Sequence, residues 1–160
     1  MNSLDVNTER GQKSLVYERR AVATFERTYP YLKFYSTDKT GSAAIDGVLT
    51  KDGNVIAVVE TKTRNMSLDQ LISYNYEWLV TASKIERGIL AGSLLGVPFI
   101  GFLYLIPDKL LLVETIANNG EIIPKHKMQR TTTQATINGG VANRNNMFID
   151  MSSAKVLQDV

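Results

Sequence analysis

Apolar residues recur at helical spacing near the start of the chain, at Leu15, Val22 and Phe25. This pattern predicts a helix from about residue 8 to Thr28, capped by Asn7 or Thr8. Pro30 ends the helix, and the alternating aromatic segment 31–35 that follows predicts a strand.

The next part of the chain predicts a β-hairpin. Two β-rich segments, 43–50 and 54–62, flank Asp52-Gly53, a dipeptide typical of tight hairpin turns. Residues 37–42 before them predict a loop. Segment 55–59 is apolar at every position, which predicts a strand at the centre of a sheet that is covered on both faces, as in α/β proteins.

Further elements follow after residue 66. Ser67 and Gln70 have the spacing of a capping box and predict the start of a long helix, about 68–91. Segments 97–106 and 110–116 are rich in apolar and β-branched residues and predict two more strands.

The composition changes from residue 117 onward. This polar, mildly basic stretch, 117–160, suits either a flap that contacts nucleic acid or a solvated loop. Within it, 147–151 predicts a short edge strand and 152–158 a brief helix. We expect a single domain over 1–160, with its core at about 8–116.

Composition limits the class of protein. With 160 residues, 44% apolar and 21% charged, the chain can form one soluble domain with a substantial core. It has no apolar run of roughly 20 residues, and its polar start does not resemble a signal peptide. We therefore expect a cytoplasmic protein that does not contact membranes.

The residue types restrict the possible metal chemistry. The chain has no cysteine and one histidine, His126, so disulfides, thiolate zinc sites and a histidine triad are not expected. A bound metal would be held by oxygen, which favours Mg²⁺ or Mn²⁺. The net charge of +2 permits a nucleic-acid partner but does not establish one.

Two carboxylates and a lysine on the hairpin form a candidate site for phosphodiester chemistry. Glu60 and Lys62 share one face of their strand, because side chains alternate along it. With a two-residue turn, Asp46 would lie opposite Val59 and point to the other face. The functional interpretation therefore predicts a longer turn or a bulge. The alternative is a surface hairpin with unrelated charges.

Three further residues admit two interpretations each. Glu18 lies on the apolar stripe of the first helix, where it either faces the site or forms an exposed edge position. Gln70 and Tyr74, one helical turn apart, are either site residues or a cap and an aromatic residue at the core rim. Trp78 is predicted to be a core residue.

The arrangement resembles a known family. Asp46 and then Glu60-Thr61-Lys62, in the order helix, three strands, helix, strand, resemble the core of the PD-(D/E)XK nuclease superfamily, over residues 8–106. This superfamily includes restriction endonucleases, archaeal Holliday-junction resolvases, lambda-type exonucleases and RecB-like nuclease domains. Residues 70–74 are similar to the Gln-x-x-x-Tyr element of the RecB-like branch, and Glu18 is similar to an acidic residue that several branches place beside the metal.

The resemblance implies an α/β fold of restriction-endonuclease type, with an αβββαβ core and a central mixed sheet flanked by helices. It implies metal ligation by Asp46, Glu60, the backbone carbonyl of Thr61, and Glu18. Lys62 would orient the attacking water or stabilise charge. The residues expected to contact or position DNA are Gln70, Tyr74, Arg64, Lys125, Lys127 and Arg130.

The sequence departs from the family pattern at two points. Ile45 stands where the family name has proline, and no histidine precedes Asp46, whereas RecB-like members often carry one.

We therefore expect a Mg²⁺- or Mn²⁺-dependent deoxyribonuclease whose partner is DNA. The protein could act as a homo-oligomer. The alternatives are a catalytically inactive DNA-binding module of the same fold and a structural or interaction protein.

Overall fold

The structure is a computed structural model that describes residues 9–37, 45–132 and 143–160. Three parts of the predicted structure lie outside these ranges: the caps Asn7 and Thr8, residues 38–44, which include most of the predicted loop and the start of the predicted strand 43–50, and the polar segment 133–142.

The described residues form three helices and ten strands, which makes the protein a mixed α/β structure. The helices are α1 (Glu9–Thr28), α2 (Leu68–Ser73) and α3 (Ala82–Leu95). The strands are β1 (Lys33–Ser36), β2 (Gly47–Lys51), β3 (Asn54–Arg64), β4 (Glu77–Thr81), β5 (Phe99–Leu105), β6 (Leu110–Asn118), β7 (Glu121–Ile122), β8 (His126–Thr132), β9 (Asn143–Asp150) and β10 (Lys155–Gln158). None of the described helices is long and apolar enough to span a membrane.

The main sheet is mixed and has β3 and β5 at its centre. Its order is β1-β2-β3-β5-β6-β10, with β7 paired to the end of β6. The β3–β5 pair is parallel and the other pairs are antiparallel. A parallel neighbour requires a crossover connection, which α2, β4 and α3 supply.

Both faces of the main sheet are covered, as the apolar run in β3 predicts. On one face α1 packs through a cluster that includes Ala21, Phe25, Val59 and Phe102. The other face carries α3 and a second sheet, ordered β4-β9-β8, packed through Val58, Trp78, Ile85 and Leu103. Side chains of β3 therefore alternate between two cores.

The single long helix predicted for 68–91 is wrong. The capping box of Ser67 and Gln70 is present, but α2 ends at Ser73 and the chain continues into β4 before α3 begins. Asn75 and Tyr76 both adopt a φ of 60°, a left-handed backbone that interrupts a helix. Neither residue is the glycine that normally signals such a turn.

The C-terminal part is more regular than predicted. The edge strand predicted near 147–151 is present as β9, but it is the middle strand of the second sheet. The helix predicted for 152–158 is wrong, because β10 pairs with β6 instead and places Leu157 opposite Leu111. Residues 126–132, predicted to be flap or solvated loop, form the edge strand β8.

Asp159 fastens the end of the chain to α1 and β5. Its carboxylate accepts hydrogen bonds from the Tyr104 hydroxyl, from Arg20 Nε at 2.9 Å and from Arg27 Nη2 at 3.2 Å. Burial raises the pKa of Asp159, but the hydrogen bonds from Tyr104 and the two arginines outweigh it, so the pKa lies below its usual value. The ionised carboxylate therefore stabilises the fold.

Replacing Asp159 with alanine should lower the free energy of unfolding by about 2 kcal/mol, because the buried Tyr104 hydroxyl would lose its partner. The exposed arginines add little. Since the pKa of Asp159 is lowered in the folded state, its contribution should be present at neutral pH and lost as the pH falls through that pKa. Urea unfolding at several pH values measures both effects.

The Tyr104→Phe background provides the control for this prediction. Asp159→Ala should cost less there, because no hydroxyl is left unpaired. An equal cost in both backgrounds would contradict the assigned role of the Tyr104–Asp159 hydrogen bond.

Candidate active site

The register of the β2–β3 hairpin places Asp46 beside Glu60. Asp52 and Gly53 form a two-residue turn with φ values of 52° and 82°. The ladder then shifts by one residue: Thr50 pairs with Val55 but Leu49 pairs with Ala57, so Ile56 is the extra residue of a bulge. Gly47 lies opposite Val59, and the preceding residue Asp46 is therefore level with Glu60. The predicted bulge is confirmed.

Hydrogen bonds to β3 hold Asp46 in this position. Its backbone N–H donates to the Val59 carbonyl at 3.1 Å, and its Oδ2 accepts from the Thr61 N–H at 2.7 Å. The N–H and C=O of a strand residue point to the same side. The Thr61 carbonyl is thus directed toward the edge of β3 that Asp46 occupies.

Glu60 is a buried carboxylate. The residue is 1% exposed, and neither of its carboxylate oxygens accepts a hydrogen bond from the residues that the structure describes. Lys62 Nζ lies 3.5 Å from Oε2. Burial, and next the negative charge of Asp46, raise the pKa of Glu60 to about 7, against the lowering effects of Lys62 and Lys84. A cation is the natural complement of such a pair of carboxylates.

Lys84 is a second cation near Glu60 that the sequence interpretation missed. It lies in the first turn of α3, which packs against the same face of β3. The helix can come close to the sheet because Gly88 has no side chain. A Cβ at this position would collide with the Phe99 ring. Lys84 shares a helical face with Gly88 and Gly92, at intervals of four residues, and this alignment is the signal that could have identified it.

The donor set suits a hard divalent cation. Asp46 and Glu60 supply two neighbouring carboxylates, and the strand geometry directs the Thr61 carbonyl toward the same edge of β3. Mg²⁺ typically takes one or two protein carboxylates, with water and substrate completing its shell. The Glu60 oxygens without partners provide the structural reason for a fit. Within the described ranges, no group of three or more histidine, aspartate or glutamate side chains comes together as a metal site.

Glu18 lies in a different environment. It lines a pocket of about 240 Å³ between α1 and the sheet, together with Glu26, Phe34 and the Thr61 side chain. On β3, Thr61 alternates with Glu60, so their side chains point to opposite faces. The structure does not place Glu18 in a three-carboxylate group, and its role as a metal ligand stays a prediction.

Tyr74 and Arg64 line a second pocket, whereas Gln70 acts at the start of α2. Gln70 completes the capping box, since its Oε1 accepts from the Ser67 N–H at 2.9 Å. Tyr74, at the end of α2, is 56% exposed and lines a pocket of about 510 Å³ together with Arg64. Arg64 points to the same face of β3 as Glu60 and Lys62, because alternate residues of a strand share a face. The pocket therefore lies on the face of β3 that carries Glu60 and Lys62.

Lys127 and Arg130 of β8, and Lys125 just before this strand, differ in their surroundings. Lys127 Nζ lies 3.4 Å from the Glu77 carboxylate and 5.3 Å from the centre of the Phe148 ring, two residues that line the larger pocket. Lys125, just before the strand, and Arg130, on it, are both exposed. Their contact with DNA stays a prediction.

Comparisons with known proteins add no assignment: no family model, curated protein or solved structure matches this chain.

The buried Glu60 predicts an unusual pH dependence of stability. Its pKa of about 7 exceeds the usual value of 4.5, so between these values the folded protein holds a proton that the unfolded chain releases. Stability should therefore fall as the pH rises through this range, by at most about 3 kcal/mol. Replacing Glu60 with glutamine removes the effect. In buffer with EDTA, E60Q should be more stable than the native protein at about pH 8 by roughly 1–3 kcal/mol.

Chemical denaturation at several pH values measures this difference, and Glu86→Gln on the exposed side of α3 is the matched control. Adding Mg²⁺ at about pH 8 should stabilise the native protein more than E60Q, because a ligand bound to the folded state adds to stability. If the native protein lost no stability between about pH 5 and pH 8, the burial cost assigned to Glu60 would be wrong.

Proposed function

We propose that this protein is a Mg²⁺- or Mn²⁺-dependent deoxyribonuclease with a restriction-endonuclease-like fold. The observation that carries the proposal is the pair of carboxylates at Asp46 and Glu60, with Lys62 Nζ 3.5 Å from a Glu60 oxygen that accepts no hydrogen bond within the described part of the chain. Burying this group costs stability, and a structural role would be served better by a neutral side chain. A divalent cation and a phosphodiester would complement it.

The order of the strands supports the proposal. Three antiparallel strands, β1, β2 and β3, are followed by β5, which runs parallel to β3, and helices cover both faces. This arrangement agrees with the αβββαβ core that the PD-(D/E)XK resemblance implies, with β4 inserted between the two helices of the crossover.

Each residue of the site has a distinct role in the proposed reaction. Asp46, Glu60 and the Thr61 carbonyl would hold the cation, which, when bound, polarises the scissile phosphate and lowers the pKa of a water molecule. The Thr61 N–H fixes the Asp46 carboxylate in its orientation. Lys62, 33% exposed at its side chain, can reach the attacking water or the charge that develops on the phosphate.

Replacing Lys62 with alanine should reduce Mg²⁺-dependent cleavage of DNA by roughly 10²- to 10³-fold, because a preorganised positive charge is lost. Asp46→Asn should abolish cleavage, since it weakens the negative charge that attracts the cation. Gel assays with single-stranded, duplex and branched DNA in Mg²⁺ and in Mn²⁺ measure both effects.

Lys33→Ala is the matched control, because Lys33 is an exposed lysine on β1, the edge strand that pairs with β2 of the hairpin. Circular dichroism and DNA binding should be unchanged in all three variants. If the native protein bound DNA but cut none of these substrates with either cation, the proposal of a nuclease would fail and a DNA-binding module would replace it.

A further inference from the structure

A pocket of about 510 Å³ at the end of β3 lies close to the candidate active site. Its walls come from the end of β3, from the turn between α2 and β4, from β4 and from β9, and Leu103 of β5 lies at its base. The residues that matter for its chemistry are Arg64, Tyr74, Asn75, Glu77, Trp78 and Phe148.

Arg64 connects this pocket to the site of the proposed reaction. Glu60, Lys62 and Arg64 point to the same face of β3, and Arg64 is about 13 Å from Glu60 along the strand. Its guanidinium donates to the carbonyl of Thr63 at 3.0 Å and to the carbonyl of Leu79 at 3.2 Å. The positive charge is therefore held in place at the pocket instead of extending into solvent.

Aromatic rings give the pocket a flat, apolar character. Tyr74 is 56% exposed, and the turn that presents it contains two residues, Asn75 and Tyr76, with φ of 60°. Left-handed backbone at two non-glycine residues costs stability and is found most often where function requires it. Phe148 is half-buried on β9, and the buried indole N–H of Trp78 donates a hydrogen bond to none of the described residues.

The charges around the pocket favour an anionic ligand with a flat ring. Arg64 contributes one cation, and Lys127 lies over the Phe148 ring. The carboxylate of Glu77 is neutralised by Lys127 at 3.4 Å. A nucleotide has both parts: its phosphate would contact the cations at the rim of the pocket, and its base would stack on the aromatic rings inside.

We propose that this pocket receives an unpaired nucleobase from the DNA strand that is cut, close to the scissile phosphate but not at it. The base stacks on Tyr74, and Arg64 contacts the backbone phosphate that leads to the site. A base inside a duplex is stacked and paired, and it must be extruded at an energetic cost before it can enter. The pocket therefore favours single-stranded or locally unpaired DNA. This inference rests on the proposed function, because it uses the Asp46–Glu60 pair to place the strand.

Trp78 is the single tryptophan of the chain, so its fluorescence reports on the pocket without any labelling. In buffer with EDTA, where no cleavage occurs, single-stranded oligonucleotides should change this fluorescence saturably, and the duplex of the same sequence should not. Tyr74→Ala should weaken single-strand binding about tenfold, as expected for the loss of one stacked base. Tyr31→Ala, which removes a tyrosine of similar exposure on the opposite face, should leave binding unchanged.

An abasic position moved along the oligonucleotide identifies the base that enters. One position should weaken binding about as much as Tyr74→Ala, and the two changes together should add little. In Mg²⁺, Tyr74→Ala should raise KM for single strands and leave kcat nearly unchanged.

The outcomes separate this inference from the proposed function. Cleavage with equal activity on duplex and single strands, no fluorescence change and a uniform abasic scan would overturn the inference and leave the nuclease proposal intact. A fluorescence change that depends on Tyr74 and on one base, without cleavage in Mg²⁺ or Mn²⁺, would support the pocket and overturn the nuclease proposal.

Discussion

The burial of the Glu60 carboxylate beside Asp46 is the interaction on which the candidate site depends. Glu60 follows Ala57, Val58 and Val59, which are at most 1% exposed, so the strand that stabilises the fold also carries a charge into its interior. The pKa of about 7 expresses the cost of this arrangement. The bulge at Ile56 is what brings the second carboxylate to the same face.

The two faces of β3 differ: one packs under α1, and the other carries both core residues and the candidate site. Val59 and Thr61 face α1, whereas Val58 belongs to the core under α3, and Glu60 and Lys62 continue that face toward the C-terminal end of the strand. As the apolar residues give way to charged ones, the core ends and the site begins. The larger pocket lies where the same face reaches Arg64.

The backbone near this face contains an unfavourable turn, which hydrogen bonds hold in place. The left-handed turn at Asn75 and Tyr76 is held by hydrogen bonds from the Tyr76 N–H to the Leu71 carbonyl and from the Met151 N–H to the Tyr76 carbonyl. Asp159, directly after β10, accepts hydrogen bonds from two arginines of α1 and so stabilises the packing of β10 against this helix.

The amino-acid sequence by itself determined the local elements: α1, the hairpin at Asp52-Gly53, the capping box at Ser67 and the two-sided burial of β3. It also required a bulge if Asp46 and Glu60 were to share a face, because side-chain alternation in a strand leaves no other solution with a two-residue turn. Only the tertiary structure decided where the predicted long helix breaks. Asn75 is a residue type that adopts left-handed backbone readily, but Tyr76 is not, and the Tyr76 carbonyl is held by a hydrogen bond from the N–H of Met151, which is distant in the chain. The pairing of β10 with β6, the approach of Lys84 to Glu60 and the pocket beside Arg64 likewise arise from long-range packing, which residue spacing along the chain does not encode.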